Sequence, residues 1–426
     1  MATSFPLTPR RVTPLVASAL ERYPAVLLEG PRTVGKSTLL SLVADGRSGR
    51  LLNLDAAAVR QAVRADPDGA LDGGGLVCVD EYSQVPAVLQ SIKAIIGQAG
   101  WAGNFLLAGS TRHAALPAGA QALTGRLRRI AVEPLAQSEI DRSAPDTVAA
   151  LFSDPARVVD SYRAPNGAGK PEYISRALRG GLPLALAAPT GEDRQDWFEG
   201  YIALTLDRDA RQLARIRHSW ALPEILNRLA ARNAQVLSVA AISSQIGLSQ
   251  PTTREYISLL EGAFLVRTLP AWRPVHTARS QLRPKVLLVD SGVAGHLAGL
   301  TQERLERVDA GAATELGHLL EAFAVNELVK EASWTRGVSL AGYWRTYEGA
   351  EVDAIMTDRA KRVVAFKVKA ARTASSKDFA GLAALRDALG DAFVAGVLLT
   401  TGPIAYTQAD RLHVLPLDAL WRPPAG

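Results

Sequence analysis

The chain has 426 residues, and at roughly 150 per domain that length suits two to four domains, so no single small module accounts for it. A composition of 48% hydrophobic and 21% charged residues belongs to a core-forming globular protein and excludes a disordered tail, a collagen-like fibre or a coiled-coil rod. The net charge of +6 is spread thinly, and only nine of the 48 basic residues are lysine. A single cysteine, Cys78, and no secretion signal point to a reducing, cytoplasmic setting, and no run of about 18 apolar residues is present to cross a membrane.

Up to residue 140, short apolar runs alternate with helix-like segments: AVLLEG (25–30), RLLNLD (50–55), LVCVDE (76–81) and FLLAGS (105–110). That alternation predicts an α/β domain, a parallel sheet with helices on both faces. Between the first run and the amphipathic TLLSLVAD lies GPRTVGKS (30–37), which fits G-x-x-x-x-G-K-[ST], the P-loop that cradles nucleotide phosphates. Gly30 and Gly35 let the backbone turn N–H groups toward a phosphate chain, with Pro31, Arg32, Thr33 and Val34 between them. Lys36 would reach the terminal phosphates, and Ser37, followed by Thr38, would supply a magnesium ligand at the helix start. ATP and Mg2+ are the cofactors this loop implies.

LVCVDE ends in two carboxylates. Asp80 is expected to hold hydrated Mg2+, and Glu81 to polarise the attacking water as general base. At the tip of the next strand, Ser110 or Thr111 is a candidate sensor of the terminal phosphate. LTGRLRRI (123–130) carries Arg126, Arg128 and Arg129. In a homo-oligomer one of them, with Arg126 as the candidate, would act as an arginine finger on a neighbour's nucleotide; the plainer alternative is a solvated basic face. These motifs assign residues 1–145 to a P-loop ATPase domain.

RAPNGAGKPEY (163–173) reads as a loop and 195–232 as helical, so 146–235 is assigned to a linker and helical region. The stretch 236–285 has the order of a winged helix-turn-helix: a first helix ends at Gly247, and a second begins at the N-cap Ser249 with Pro251 in its first turn. In a DNA reader the second helix would aim Gln250, Thr252, Thr253 and Arg254 at bases. The run 267–285, with Arg267, Arg273, Arg279, Arg283 and Lys285 and no acid, would then lie on phosphates. The alternative is a packing module that transmits nucleotide state between domains.

Residues 286–426 look like a mixed α/β, restriction-endonuclease-like domain of the PD-(D/E)XK type. Glu321 and Glu327 lie on a helix over 316–331, Asp353 on a strand over 351–356, and Lys369 ends a strand over 363–370. In that fold an Asp and an acid two residues before the Lys hold Mg2+ together. Here the acid's place is taken by Lys367, and a cation in a divalent-metal site repels the ion it should attract. Glu321, Asp353, Lys367 and Lys369 therefore read as a vestigial nuclease site, with Glu321 or Glu351 as compensating acids. The six histidines show no paired metal spacing.

Along nearly its full length the chain resembles a family of bacterial and archaeal proteins that pair an N-terminal AAA-type P-loop ATPase domain with a C-terminal domain of unknown function. The resemblance rests on PRRVTPLVASAL, GPRTVGKST, VDEYSQVP, LAGSTR, LTGRLRRIAVEPLAQSEI, GHLLEAFAVNEL and WRTYEGAEVDAIM. The family usually has Gln where this chain has Thr33, a position that contributes backbone more than side chain. What the resemblance implies is an ATPase. Three readings follow: a nucleotide-driven switch or motor, with DNA or an unknown protein as partner; an ATP-gated nuclease; or an interaction scaffold with little turnover.

Overall fold

The structure, a computed structural model, describes residues 7–99, 104–112, 123, 125–162, 168–210, 218–273 and 283–423. Strands β1 (Ala25–Glu29), β2 (Arg50–Asn53), β3 (Val77–Asp80), β4 (Phe105–Gly109) and β5 (Leu127–Ala131) form a parallel sheet in the order β2-β3-β4-β1-β5. The first four lie where the apolar runs predict strands. Side chains alternate between faces, as the two-residue period of a strand requires. Val26, Leu28, Cys78, Leu106 and Ala108 enter one core, and Ala25, Leu27, Val77, Val79, Phe105 and Leu107 enter the other. Helices α1 (Thr13–Leu20) and α2 (Lys36–Gly46) cover the first face, while helices Ala57–Ala65 and Ala87–Ala99 cover the second. Burial pushes the Cys78 thiol up to about 12, which makes it an unreactive core residue.

Residues 146–235 divide between two cores rather than forming a linker. Val148, Leu151 and Tyr173 pack with the C-terminal domain, whereas Phe198, Tyr201, Leu222 and Ile225 pack with the first sheet face. Of the segment read as a loop, 163–167 lies outside the described residues, and from Lys170 the chain is already helical, through Arg179. Pro171 falls in that helix's first turn, where its missing N–H costs no hydrogen bond. Next come α3 (Ala221–Ala230), α4 (Val239–Ile246) and α5 (Gln250–Gly262), then an antiparallel ribbon of β6 (Val266–Leu269) and β7 (Lys285–Leu288). Gly247, in the left-handed region at φ 71°, ends α4, and the Ser249 side chain caps α5 by accepting from the Thr252 N–H.

A second sheet, ordered β12-β13-β11-β10-β9-β8, forms the C-terminal domain from β8 (Val338–Arg345), β9 (Glu351–Asp358), β10 (Val363–Lys369), β11 (Phe393–Thr400), β12 (Tyr406–Ala409) and β13 (Leu412–Pro416). The β8–β9 and β9–β10 pairs are antiparallel, and β10–β11 and β11–β13 are parallel, so the sheet is mixed. Its faces are covered by the long helix α6 (Ala310–Trp334) and by helix Ala380–Leu389.

Helix α6 also holds the two α/β domains together through buried polar groups. The Gln137 N–H donates to Glu327 at 2.8 Å, Lys330 donates to the Leu135 carbonyl and to Glu327, and the Val148 N–H donates to Glu331 at 3.1 Å. Glu327, which the nuclease-like reading placed on the site helix, is thus a domain-joining residue. Burial pushes the Glu331 carboxyl up to about 8.

Candidate nucleotide site and the filled acidic cluster

The phosphate loop joins β1 to α2, and its sequence is dictated by close backbone approach. A side-chain Cβ on Gly30 would stand 2.0 Å from the Val132 carbonyl oxygen, so only glycine fits. Gly35 caps α2 at φ 93°, and Thr33 also adopts a left-handed φ of 61°. Thr33 spends its hydroxyl on the Arg32 carbonyl and exposes its side chain, which agrees with a backbone role. Lys36 is 5% exposed and donates to the carbonyl oxygens of Gly30 and Pro31 at 2.8 and 2.6 Å, so its ammonium lies within the turn. Ser37 and Thr38 are exposed in the first turn of α2, and Val34 is buried.

Because β4 lies between β1 and β3 in the parallel sheet, the ends of β3 and β4 bring the predicted carboxylates and sensor to the same edge as the phosphate loop. Asp80 and Glu81 are both buried, and Glu81 has a left-handed φ of 52°. The Asp80 carboxylate accepts from the Glu81 N–H at 3.1 Å. Ser110, 1% exposed, donates to Glu81 Oε2 at 3.1 Å. Arg32 reaches Glu81 Oε1 at 3.9 Å. Burial raises the Glu81 carboxyl above the usual carboxylate range, against the opposing charges of Lys36 and Arg32. Thr111 is buried, whereas Arg126 is exposed on the turn before β5.

Two arginines here were not singled out from the sequence. Arg10 donates to the Val34 carbonyl at 2.5 Å and the Glu133 carbonyl at 2.7 Å, and it pairs with Glu139 at 3.0 Å, so it ties the phosphate loop to the chain after β5. Arg112, two residues beyond Ser110, donates its Nε to the Glu261 carbonyl at 2.8 Å and its N–H to the Gly262 carbonyl at 3.0 Å. Its guanidinium stacks 4.6 Å from the Phe264 ring. The C-terminal end of a helix leaves carbonyls unpaired and carries partial negative charge, so a guanidinium is a suitable partner. The tip of β4 is therefore bonded to both Glu81 and α5.

On α5 the residues proposed to face bases separate. Gln250 and Arg254 are exposed and Thr252 is half-buried, but Thr253 is fully buried and bonds the Ser249 carbonyl, so it cannot reach a base. The basic run 267–285 also divides. Half-buried Arg267 pairs with Glu133 at 2.7 Å, and Lys285 lies in β7 with 3% exposure, so the first charge is already paired and the second is out of reach of DNA phosphates. Arg283 is exposed, Arg273 is half-buried, and Arg279 lies outside the described residues.

Lys285 fills the nuclease-like site. Glu321, Glu351 and Asp353 bring carboxylate oxygens within 4.8 Å of one another, a spacing that suits a metal ion. The Lys285 ammonium lies 2.5 Å from both Glu321 and Glu351 and 3.5 Å from Asp353. Lys367 adds a second ammonium 2.8 Å from Asp353, whose other oxygen accepts from the Val368 N–H. Burial opposes the charge on Lys285, but the three carboxylates outweigh it and hold the amine protonated far above its usual range. Glu351 thus joins the cluster, while Lys369 points away, exposed and paired with Asp378 at 2.7 Å.

Three stretches of the chain match known families. Residues 22–141 match the family described as an AAA domain, and residues 170–304 and 316–420 each match a domain of unknown function. Uncharacterized proteins of Mycobacterium tuberculosis and Mycobacterium bovis are each 28% identical over 411 residues, covering 94% of this chain and 82% of theirs. Among solved structures, a Walker-type ATPase of Pyrococcus abyssi covers 68% of this chain and 96% of its own at 15% identity and a TM-score of 0.45. The RuvB Holliday junction branch migration motor of Thermotoga maritima covers 65% and 90% at 18% identity and a TM-score of 0.30. Among the described residues no helix is long and apolar enough to cross a membrane. The chain pairs an AAA-type P-loop domain with a C-terminal domain of unknown function.

Proposed function

We propose that the chain binds ATP with Mg2+ and hydrolyses it as a nucleotide-driven switch, passing its state from the phosphate site through β4 to α5. The residues fit that ligand. The Lys36 ammonium lies in the loop's turn against the Gly30 and Pro31 carbonyl oxygens, and Ser37 and Asp80 offer the hydroxyl and carboxylate oxygens that Mg2+ prefers. When bound, Mg2+ would neutralise charge on the terminal phosphates. Lys36 and Arg32 favour the ionised form of Glu81, the form that can take a proton from water. Ser110 orients that carboxylate through its hydroxyl.

The observation that carries this reading is the 3.1 Å bond from Ser110 to Glu81, with Arg112 two residues on and anchored to α5. A change at the phosphate end of β4 has a short path to α5, two residues along the chain and then the hydrogen bonds of Arg112. The test is phosphate release from ATP by the wild type, Lys36→Ala and Glu81→Gln. Loss of binding in the first variant, and of turnover with binding retained in the second, supports the switch. Turnover by Glu81→Gln equal to wild type would instead favour a scaffold.

Among the described residues, DNA association rests on exposed Gln250, Arg254 and Arg283, together with half-buried Arg273. Reversing Arg254, Arg273 and Arg283 should weaken duplex binding and flatten its salt dependence if DNA is the partner. Arg126 is available to a neighbouring subunit in a homo-oligomer, and the buried Cys78 thiol suits a cytoplasmic setting. Metal-dependent DNA cleavage is disfavoured, because Lys285 and Lys367 supply two ammonium groups to three carboxylates.

A further inference from the structure

A cavity of about 700 Å³ opens between the AAA-type domain and the C-terminal domain. Its lining includes five arginines, Arg22, Arg128, Arg336, Arg359 and Arg362, against one carboxylate, Asp358. They come from the end of α1, from edge strand β5, from the turn after α6 and from the β9–β10 turn. Only Arg362 is paired with Asp358, at 2.8 Å. Arg22 and Arg336 both donate to the hydroxyl of Ser18, each at 2.6 Å. Two like charges thus meet on one neutral oxygen, an arrangement that Coulomb repulsion disfavours and an anion between them would relieve. The Arg128 and Arg359 side chains have no hydrogen-bond or ion-pair partner among the described residues.

Two further features suit a ligand. The Trp334 indole N–H is buried without an acceptor although its residue lines the cavity, and a buried donor without a partner is costly. Leu15, Phe152 and Val338 give the cavity an apolar wall. A volume of this size, with apolar walls and a few converging polar groups, is that of a small-molecule site. Guanidinium groups bind phosphate oxygens in pairs and keep their charge at every physiological pH.

We propose that this cavity binds a small phosphorylated molecule carrying at least two phosphate groups, held between the domains by Arg22 and Arg336 with Arg128 and Arg359 at its mouth. The site is separate from the phosphate loop, and its occupation would bias the relative stability of the domain contact that α6 maintains.

The test uses the full chain carrying Lys36→Ala, so that the phosphate loop does not dominate, with inorganic tripolyphosphate as the probe in isothermal titration calorimetry at low salt. One site per chain is expected. Adding Arg22→Ala with Arg336→Ala should weaken binding at least tenfold, while Arg228→Ala, which removes an exposed arginine outside the cavity lining, should leave it unchanged. Circular dichroism of each variant checks folding, and Arg128→Ala with Arg359→Ala, two exposed and unpartnered side chains, gives a second pair whose loss should also weaken binding. Absence of binding, or an affinity indifferent to both pairs, overturns the proposal. So does tighter, equally arginine-dependent binding of a single-stranded oligonucleotide, which would make the cavity a nucleic-acid backbone site.

Discussion

The ammonium of Lys285 lies 2.5 Å from the carboxylate of Glu321, 36 residues away, inside an acidic cluster that otherwise has the spacing of a metal site. A side chain that belongs to the ribbon after α5 thereby serves as the counter-ion of the C-terminal domain.

Replacing Lys285 by Met should leave three clustered carboxylates, Asp353 fully buried and Glu321 and Glu351 half-buried, with only Lys367 to balance them, at a cost of about 3–5 kcal/mol near neutral pH. Acid should shrink that cost as Glu321, pushed up to about 7 by burial, takes up a proton, so the gap in urea midpoint between wild type and Lys285→Met should narrow between pH 7.5 and pH 5. The folded state raises the Lys285 value, so on the alkaline side its contribution is complete below the ordinary lysine value and is lost only as pH rises through the elevated one. Neither protein should release acid-soluble fragments from supercoiled DNA with Mg2+ or Mn2+.

Glu81→Gln keeps an acceptor for Ser110 but removes the base. Its ATP affinity should stay within about threefold of wild type while turnover falls by a factor of about 100 or more. Since burial raises the Glu81 value, the wild-type rate should climb with pH through an inflection above the ordinary carboxylate range. A wild-type profile that is flat through that range would remove Glu81 from this role.

Arg112→Ala should leave ATP binding intact and destabilise the protein by about 1–3 kcal/mol, because the Glu261 carbonyl at the end of α5 loses its side-chain donor and the Phe264 ring loses its stacked guanidinium. The informative measurement is hydrogen exchange over 255–264. Faster exchange there, together with loss of any nucleotide-dependent difference, identifies Arg112 as the coupling between β4 and α5; an unchanged nucleotide response argues that the signal travels elsewhere.

The Glu331 carboxyl, pushed up to about 8 by burial, contributes stability that is complete below its unfolded value and is lost as pH rises toward and through 8. Glu331→Gln retains an acceptor for the Val148 N–H and cannot ionise. It should stabilise the protein at pH 8 by at least about 1 kcal/mol and flatten the decline in stability between about pH 4.5 and 8. Thermal melts across that range check the sign.

The candidate nucleotide site could be assembled from the sequence because its residues are local. Gly30, Gly35, Lys36 and Ser37 occupy one turn, Asp80 and Glu81 are neighbours, and a parallel sheet sends the ends of its strands to one edge. The loss of an acid at Lys367 could likewise be read from a strand pattern. Arg112 was within reach of the same reasoning, two residues past a proposed sensor, but its partner is a helix end far along the chain.

The sequence alone determined the phosphate loop, the order of strands and helices, and the charge inventory, since each depends on residues close together in the chain. Only tertiary structure decided where the charges are spent. Thr253 looked readable by DNA until packing buried it, and Lys285 looked like a surface cation until β7 carried it to Asp353, 68 residues away. Hydrophobic periodicity acts between near neighbours, whereas electrostatic pairing acts through space and is settled only when the fold brings distant residues within a few ångströms.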